Sequence, residues 1–238
     1  MDEQSYEQRL EMFSSNLREK LKIYREEKRR WDPFLSTDFN VVSEFIRPNE
    51  NRLSDIIACL LDANGSHGQQ GKFLDAFLKR LFEKKRPDRV AELSGKQRQV
   101  RREDPTYYND ENQHRRIDIT IDFKDVGIGI ENKPWAGEGD GQLEAYYSHL
   151  KCEYDSAYLV FITPDGRKPE TICNRDDLIR KGELYLLSYS SDILPWLEEC
   201  WQLCESDRFR WFLRDFREYI HNAFPLPFTI EENDDANG

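Results

Sequence analysis

The sequence holds no apolar run near the roughly 20 residues that a membrane span requires. Its first residues, MDEQSYEQRLEMF, lack the basic start and apolar stretch of a secretory leader, so a cytoplasmic protein is expected. The five cysteines (Cys59, Cys152, Cys173, Cys200 and Cys204) are odd in number and form no CxxC pair. Cys200 and Cys204 lie one helical turn apart with His221 as the nearby imidazole, and reduced, mostly buried thiols are a better reading than a metal site. No internal repeat and no low-complexity linker interrupts the chain. Positive charge is also in deficit, with a net charge of −11, whereas proteins that coat nucleic acid nonspecifically are usually basic.

What is present is a polar chain with a core. Charged residues make up 34%, yet hydrophobic residues reach 38% and aromatics 13%, enough to argue against general disorder. The charge is uneven. Lys79 to Arg116 holds 12 Lys/Arg against 7 Asp/Glu, a balance of +5, so the remainder carries −16. That basic stretch is either a solvated surface or a phosphate-steering edge.

Periodicity divides the chain. Residues 3–30 read as a helix with a stripe at Tyr6, Leu10, Phe13, Leu17, Leu21 and Tyr24, suited to packing on the main body or on a partner. Trp31-Asp32-Pro33 is expected to end it. Helices are expected over 50–62 and about 70–85, then an irregular polar stretch over 86–116 with a strand near Gln97–Glu103. Ile117–Phe123 and Val126–Lys133 alternate as a hairpin. A helix over 141–152, a doubly buried strand over Ala157–Ile162, a strand over Glu183–Ser188 and helices over about 191–204 and 206–222 complete the order. An α/β fold results, a mixed sheet flanked by helices. The expected organisation is an extension at 1–32, a main domain at 33–228 and a disordered acidic tail at 229–238.

The hairpin carries the chemistry. A turn at Lys124-Asp125 makes facing residues sum to 249, so Ile119 faces Ile130 and Ile121 faces Ile128. Every isoleucine is thereby sorted to one side. On the other face Asp118 lies across from Glu131, with Lys133 two residues along, and Gly127 and Gly129 leave the face uncrowded. Facing Cβ atoms sit about 4.5–5.5 Å apart. Carboxylates that close repel unless a proton or cation lies between them. A hard ion such as Mg2+ suits such oxygens, and Lys133 beside it suits charge stabilisation on a phosphate. A solvated hairpin surface carries the same residue types, and the hairpin alone does not decide.

Further residues extend the pattern. Arg116-Ile117-Asp118-Ile119, Ile130-Glu131-Asn132-Lys133 and Gln142-x-x-x-Tyr146 resemble the PD-(D/E)XK nuclease superfamily, in its bacterial branch with a RecB-like QxxxY element. Upstream, Glu50-x-x-x-Ser54, Leu60-Leu61-Asp62, His67-Gly68 and Phe73-Leu74 resemble the helical start of one such family, and Val160–Gly166 resembles the strand and turn after its core helix. The resemblance spans roughly residues 45–170, with Ile117 where the nominal motif has proline. It implies a restriction-endonuclease-like fold and a nuclease acting on nucleic acid, most naturally DNA, in bacterial defence or DNA processing. It implies catalytic roles for Asp118, Glu131, Lys133, Gln142 and Tyr146. It implies a Mg2+ site, open to Mn2+, at Glu50, Asp118 and Glu131. The acidic chain keeps a second reading open: a catalytically weak or inactive binding module, or a subunit of a larger defence complex. A homodimer or protein partner is expected through the amino-terminal helix. His67 is expected to cap its loop, Trp135 to pack or to stack on a base, and Asp122 to face water.

Overall fold

The computed structural model describes residues 3–106 and 115–225. The expected tail at 229–238 lies outside them. The chain divides into two compact units, residues 1–40 and 41–238.

The first unit is helix α1, Glu3–Leu35. It does not stop at Trp31-Asp32-Pro33. Proline removes only one backbone donor, and Asp32 closes the last turn: its carbonyl accepts from Ser36 N–H at 2.8 Å and its carboxylate from Thr37 N–H at 2.9 Å. The stripe from Tyr6 to Tyr24 is exposed throughout, at 43–68%.

The second unit begins with α2, Glu50–Leu61, capped by Asn49, whose side chain accepts from Arg52 N–H. Helix α3, Lys72–Phe82, buries Phe73, Leu74, Phe77, Leu78, Leu81 and Phe82 on one face. Each such side chain is worth roughly 1.5–3 kcal/mol on burial. A short helix α4, Pro87–Leu93, starts with its proline at a first-turn position where no N–H is needed. Strand β1, Gln99–Pro105, pairs antiparallel with β2, Arg116–Asp122, and β2 with β3, Val126–Asn132. Helix α5, Gln142–Glu153, carries the chain to β4, Ser156–Thr163, parallel to β3. Helix α6, Arg175–Lys181, leads to β5, Leu184–Ser188, parallel to β4. A π-helical turn at Tyr189–Ile193 then opens α7, Leu194–Leu203, followed by α8, Asp207–Ala223.

The result is a five-stranded mixed sheet in the order β1-β2-β3-β4-β5, flanked by helices as expected. The two short helices, α4 and α6, were not expected, because seven residues give too few turns for a periodic signal. One face of the sheet, with Ile119, Ile121, Ile128 and Ile130, meets the larger core, which also holds residues of α2, α3, α7 and α8. The other face packs under α5. Cys200 and Cys204 are buried in helix packing, while Cys152 and Cys173 are exposed, so burial of most thiols does not hold. Among the described residues no helix is long and apolar enough to cross a membrane.

The glycine pair in β3 does not leave an open face; it admits α5. A Cβ at Gly127 would lie 2.2 Å from the Tyr154 ring, and one at Gly129 would lie 2.6 Å from Leu150. Tyr154 is fixed by Arg101 Nη2, which donates to its hydroxyl at 3.0 Å. Gly127→Ala is therefore expected to cost about 1–3 kcal/mol by overpacking, read as a fall in melting temperature of roughly 2–12 °C. An unchanged transition would contradict this account of the α5 contact.

Candidate active site

The hairpin register is the expected one: Ile119↔Ile130, Thr120↔Gly129, Ile121↔Ile128 and Asp122↔Gly127. The pairing ends at Ile119↔Ile130, so the expected facing pair of Asp118 and Glu131 is not part of the ladder, and beyond Ile119 the strands part. Phe123 N–H donates to Val126 O, which sets the alternation of hydrogen-bonded pairs and would put Ile117 against Asn132. Instead the Asn132 N–H donates to Asp118 Oδ2 at 2.9 Å. Ile117 breaks the sorting of the isoleucines: it belongs to the α5 side, with Leu143, Tyr146 and Leu150. The Asp118 carboxylate thus occupies the opening between β2 and β3.

Glu131, only 1% exposed, is held from two directions. Lys133 Nζ approaches its Oε1 at 2.9 Å and also donates to Glu50 Oε1, on the first turn of α2, at 3.0 Å. Gln142 Nε2, on the first turn of α5, donates to the same Glu131 Oε1 at 2.8 Å and to the Tyr146 hydroxyl at 2.9 Å. Gln142 is itself oriented, since its Oε1 accepts from Gly139 N–H at 3.0 Å. The Tyr146 hydroxyl donates to Arg116 O at 2.6 Å, tying α5 to β2. All six residues singled out in the sequence therefore meet at one end of the sheet. The other carboxylate oxygen, Glu131 Oε2, is buried with no hydrogen-bond partner among the described residues.

The electrostatics follow from this crowding. Burial, and then the charge of Asp118, push Glu131 up to about 8 against the pull of Lys133. Burial also raises Asp118, opposed by the Asn132 N–H and the Lys133 and Arg102 charges. Burial alone would depress Lys133, but Glu131 and Glu50 outweigh it and hold the ammonium charged. The Tyr146 hydroxyl is pushed up to about 12 by burial and by Glu131, so it remains a donor.

Glu50, Asp118 and Glu131 do not stand as a ready three-carboxylate cluster. Among the described residues no three His, Cys, Asp or Glu side chains are gathered to hold a metal. Lys133 joins Glu50 to Glu131 instead, as the cation nearest two carboxylates that would otherwise repel. The residues still fit a divalent ion: a buried carboxylate oxygen without a donor is costly unless something else satisfies it. Hard oxygen donors are what Mg2+ and Mn2+ take.

Other expectations resolve individually. His67 caps its loop: its ring contacts Asp62 O and accepts from Gln69 N–H, each at 2.9 Å, and packs near Phe73 and Phe209. Asp122 does not simply face water, because Arg101 Nη1 donates to it at 2.8 Å. Trp135 is 54% exposed, its ring 5.7 Å from Phe224. The basic stretch is not a free edge. Arg86, Arg89, Arg98, Arg101 and Arg102 pair with Asp88, Glu92, Asp75, Asp104 and Asp55.

Three features escape sequence reasoning. Arg102 on β1 donates to the carbonyl of Asp118, reaches 3.9 Å from its carboxylate, and anchors on Asp55 and the carbonyl of Asn51. Asn132, fully buried between Glu131 and Lys133, accepts from the Tyr189 hydroxyl at 2.7 Å and donates to Ser54 Oγ at 3.0 Å. Ser54 Oγ in turn donates to Glu50 O at 3.1 Å, so a chain of buried bonds runs from the π-helical turn to the α2 terminus that bears Glu50. A polar residue at an inward strand position was the one available signal for Asn132.

The buried carboxylate–lysine pair lies at the parting of a hairpin, on a mixed sheet flanked by helices. The model of one protein family, described as the PD-(D/E)XK nuclease superfamily, matches residues 39–217. That is well over half of the 238 residues, and the chain belongs to this superfamily. No curated protein and no solved structure gives a significant match.

Proposed function

We propose that the protein is a metal-dependent nuclease that hydrolyses phosphodiester bonds in DNA. The observation that carries this reading is the partnerless buried oxygen of Glu131, set beside Asp118 and Lys133. Asp118 and Glu131 are the residues to hold Mg2+, with Mn2+ able to substitute and Glu50 as a third oxygen donor. When bound, such an ion supplies an acidified water and neutralises charge on the phosphate.

The chain's own side chains do the rest. Lys133 holds a positive charge where negative charge develops on the phosphate. Gln142 fixes the rotamer of Glu131 through Oε1 and so leaves Oε2 free. Tyr146 locks Gln142 to the backbone of β2. Asn132 keeps β3 in register with α2, which sets the distance between Glu50 and Lys133. The exposed stripe of α1 is the surface on which we place a second copy or a protein partner.

The test uses plasmid, linear duplex and single-stranded DNA, and RNA, each with Mg2+ or Mn2+ and with chelator. Wild-type protein should cut DNA only with metal, and Asp118→Ala should lose at least about 100-fold. Equal cleavage by both proteins would reject the assigned site. Tight DNA binding without cleavage under any metal would favour the inactive-module reading.

A further inference from the structure

Arg116, the first residue of β2, differs from the paired arginines that precede it in the basic stretch. Its partner, Glu103, meets Nη1 at 2.9 Å, but both side chains are half exposed, 57% and 43%. Ion pairs this open are weak and readily exchanged. They lie in an open cleft of about 480 Å³ whose wall also includes Asp118, Gln142 and Tyr146. Arg115 borders the same cleft and donates from its two terminal nitrogens to the carbonyls of Gly141 and Asp140, each at 2.7 Å.

The backbone at Glu103 is unusual. In the β1–β2 register Arg102 faces Ile119 and Asp104 faces Ile117, so Glu103 stands opposite Asp118, and that pair is missing from the ladder. Glu103 has φ of 47°, a left-handed conformation that glycine adopts freely and glutamate rarely does. Stability alone would favour glycine here. Strain of this kind persists where the side chain it presents has a use.

We propose that Arg116 receives a backbone phosphate of the substrate strand beside the scissile one, and that Glu103 occupies that guanidinium in the free protein as a competing anion. The proposal rests on the nuclease reading above. A phosphodiester offers the guanidinium two oxygens at once and replaces a weak pair with a forked one. Arg116 is placed to register the strand, because its carbonyl accepts from Tyr146 and so joins the Gln142–Glu131 chain. The competing carboxylate makes weak, nonspecific contact with nucleic acid unfavourable, in keeping with a net charge of −11.

The experiment measures binding of a fluorescein-labelled DNA duplex to the full chain by anisotropy, in chelator so that cutting does not interfere. Glu103→Gln should tighten binding about three- to tenfold. Arg116→Gln should weaken it about tenfold and reduce the slope of log affinity against log salt by about one. Glu103→Gln should have no effect once Arg116 is Gln. Glu103→Gly should both tighten binding and raise the melting temperature, whereas a purely structural ion pair predicts a fall. Arg116→Lys, which keeps the charge but loses the fork, should fall between wild type and Arg116→Gln.

No measurable binding by wild type, unaltered or weaker binding by Glu103→Gln, or the same gain with Arg116 removed would each overturn the proposal. Cleavage assays on the same proteins separate the two claims. Metal-dependent cutting with a neutral Glu103→Gln leaves the nuclease reading standing and removes the phosphate site. The predicted binding shifts without any cutting leave the phosphate site standing and remove the nuclease reading.

Discussion

Glu131→Gln is expected to make the metal-free protein more stable at pH 8 while abolishing metal-dependent cleavage. The sign follows from proton linkage. Glu131 is raised from an ordinary 4.5 to about 8 in the folded chain. Between those values the folded state keeps a proton that the unfolded state has released. Its contribution is therefore intact below about pH 4.5 and is lost progressively as pH rises to about 8. At 1.36 kcal/mol per unit, the full loss is on the order of 5 kcal/mol. Glutamine stays neutral at every pH and removes the slope. Chelator-treated wild type should thus melt at a falling temperature between pH 5 and pH 8, by roughly 2–4 °C per kcal/mol. The variant should show a flatter profile and a higher melting temperature at pH 8. Parallel profiles for the two proteins would mean that the carboxylate is not held against its own burial.

Lys133→Met should cost about 10²- to 10³-fold in turnover, with a far smaller change in substrate affinity. Its ammonium lies 2.9 Å from Glu131 and 3.0 Å from Glu50, so methionine removes a cation that both carboxylates share. Single-turnover cleavage at saturating metal isolates this effect from any change in metal affinity. A loss that vanished at high metal concentration would show that Lys133 only assists binding, and no loss at all would remove it from the reaction.

The hairpin was the most legible part of the molecule. Its turn chemistry and its isoleucines determine one register, and the structure keeps that register at every pair from Ile119 to Asp122. Gln142 and Tyr146, four residues apart on one helical turn, converge on Glu131 as their spacing allows. What escaped was set by tertiary contacts. The parting of the strands at Asp118 depends on the Asn132 N–H finding a side-chain acceptor, and alternation carries no trace of that choice. The Tyr189–Asn132–Ser54 chain joins residues 57 and 78 positions apart, beyond the reach of any local pattern. The pairing within the basic stretch escaped for a related reason. Counting charges shows an excess, but not that Asp55 and Asp75, from outside the stretch, pair with Arg102 and Arg98 once the strands and helices pack.

The central claim is that Asp118 and Glu131 together hold a divalent cation. It is tested most directly by a crystal of the full chain soaked in Mn2+ and measured for anomalous scattering. The account predicts one strong peak within bonding distance of Asp118 and of Glu131 Oε2, the oxygen without a hydrogen-bond partner among the described residues. A peak elsewhere, or none while Glu131 remains bound only to Lys133 and Gln142, would contradict it.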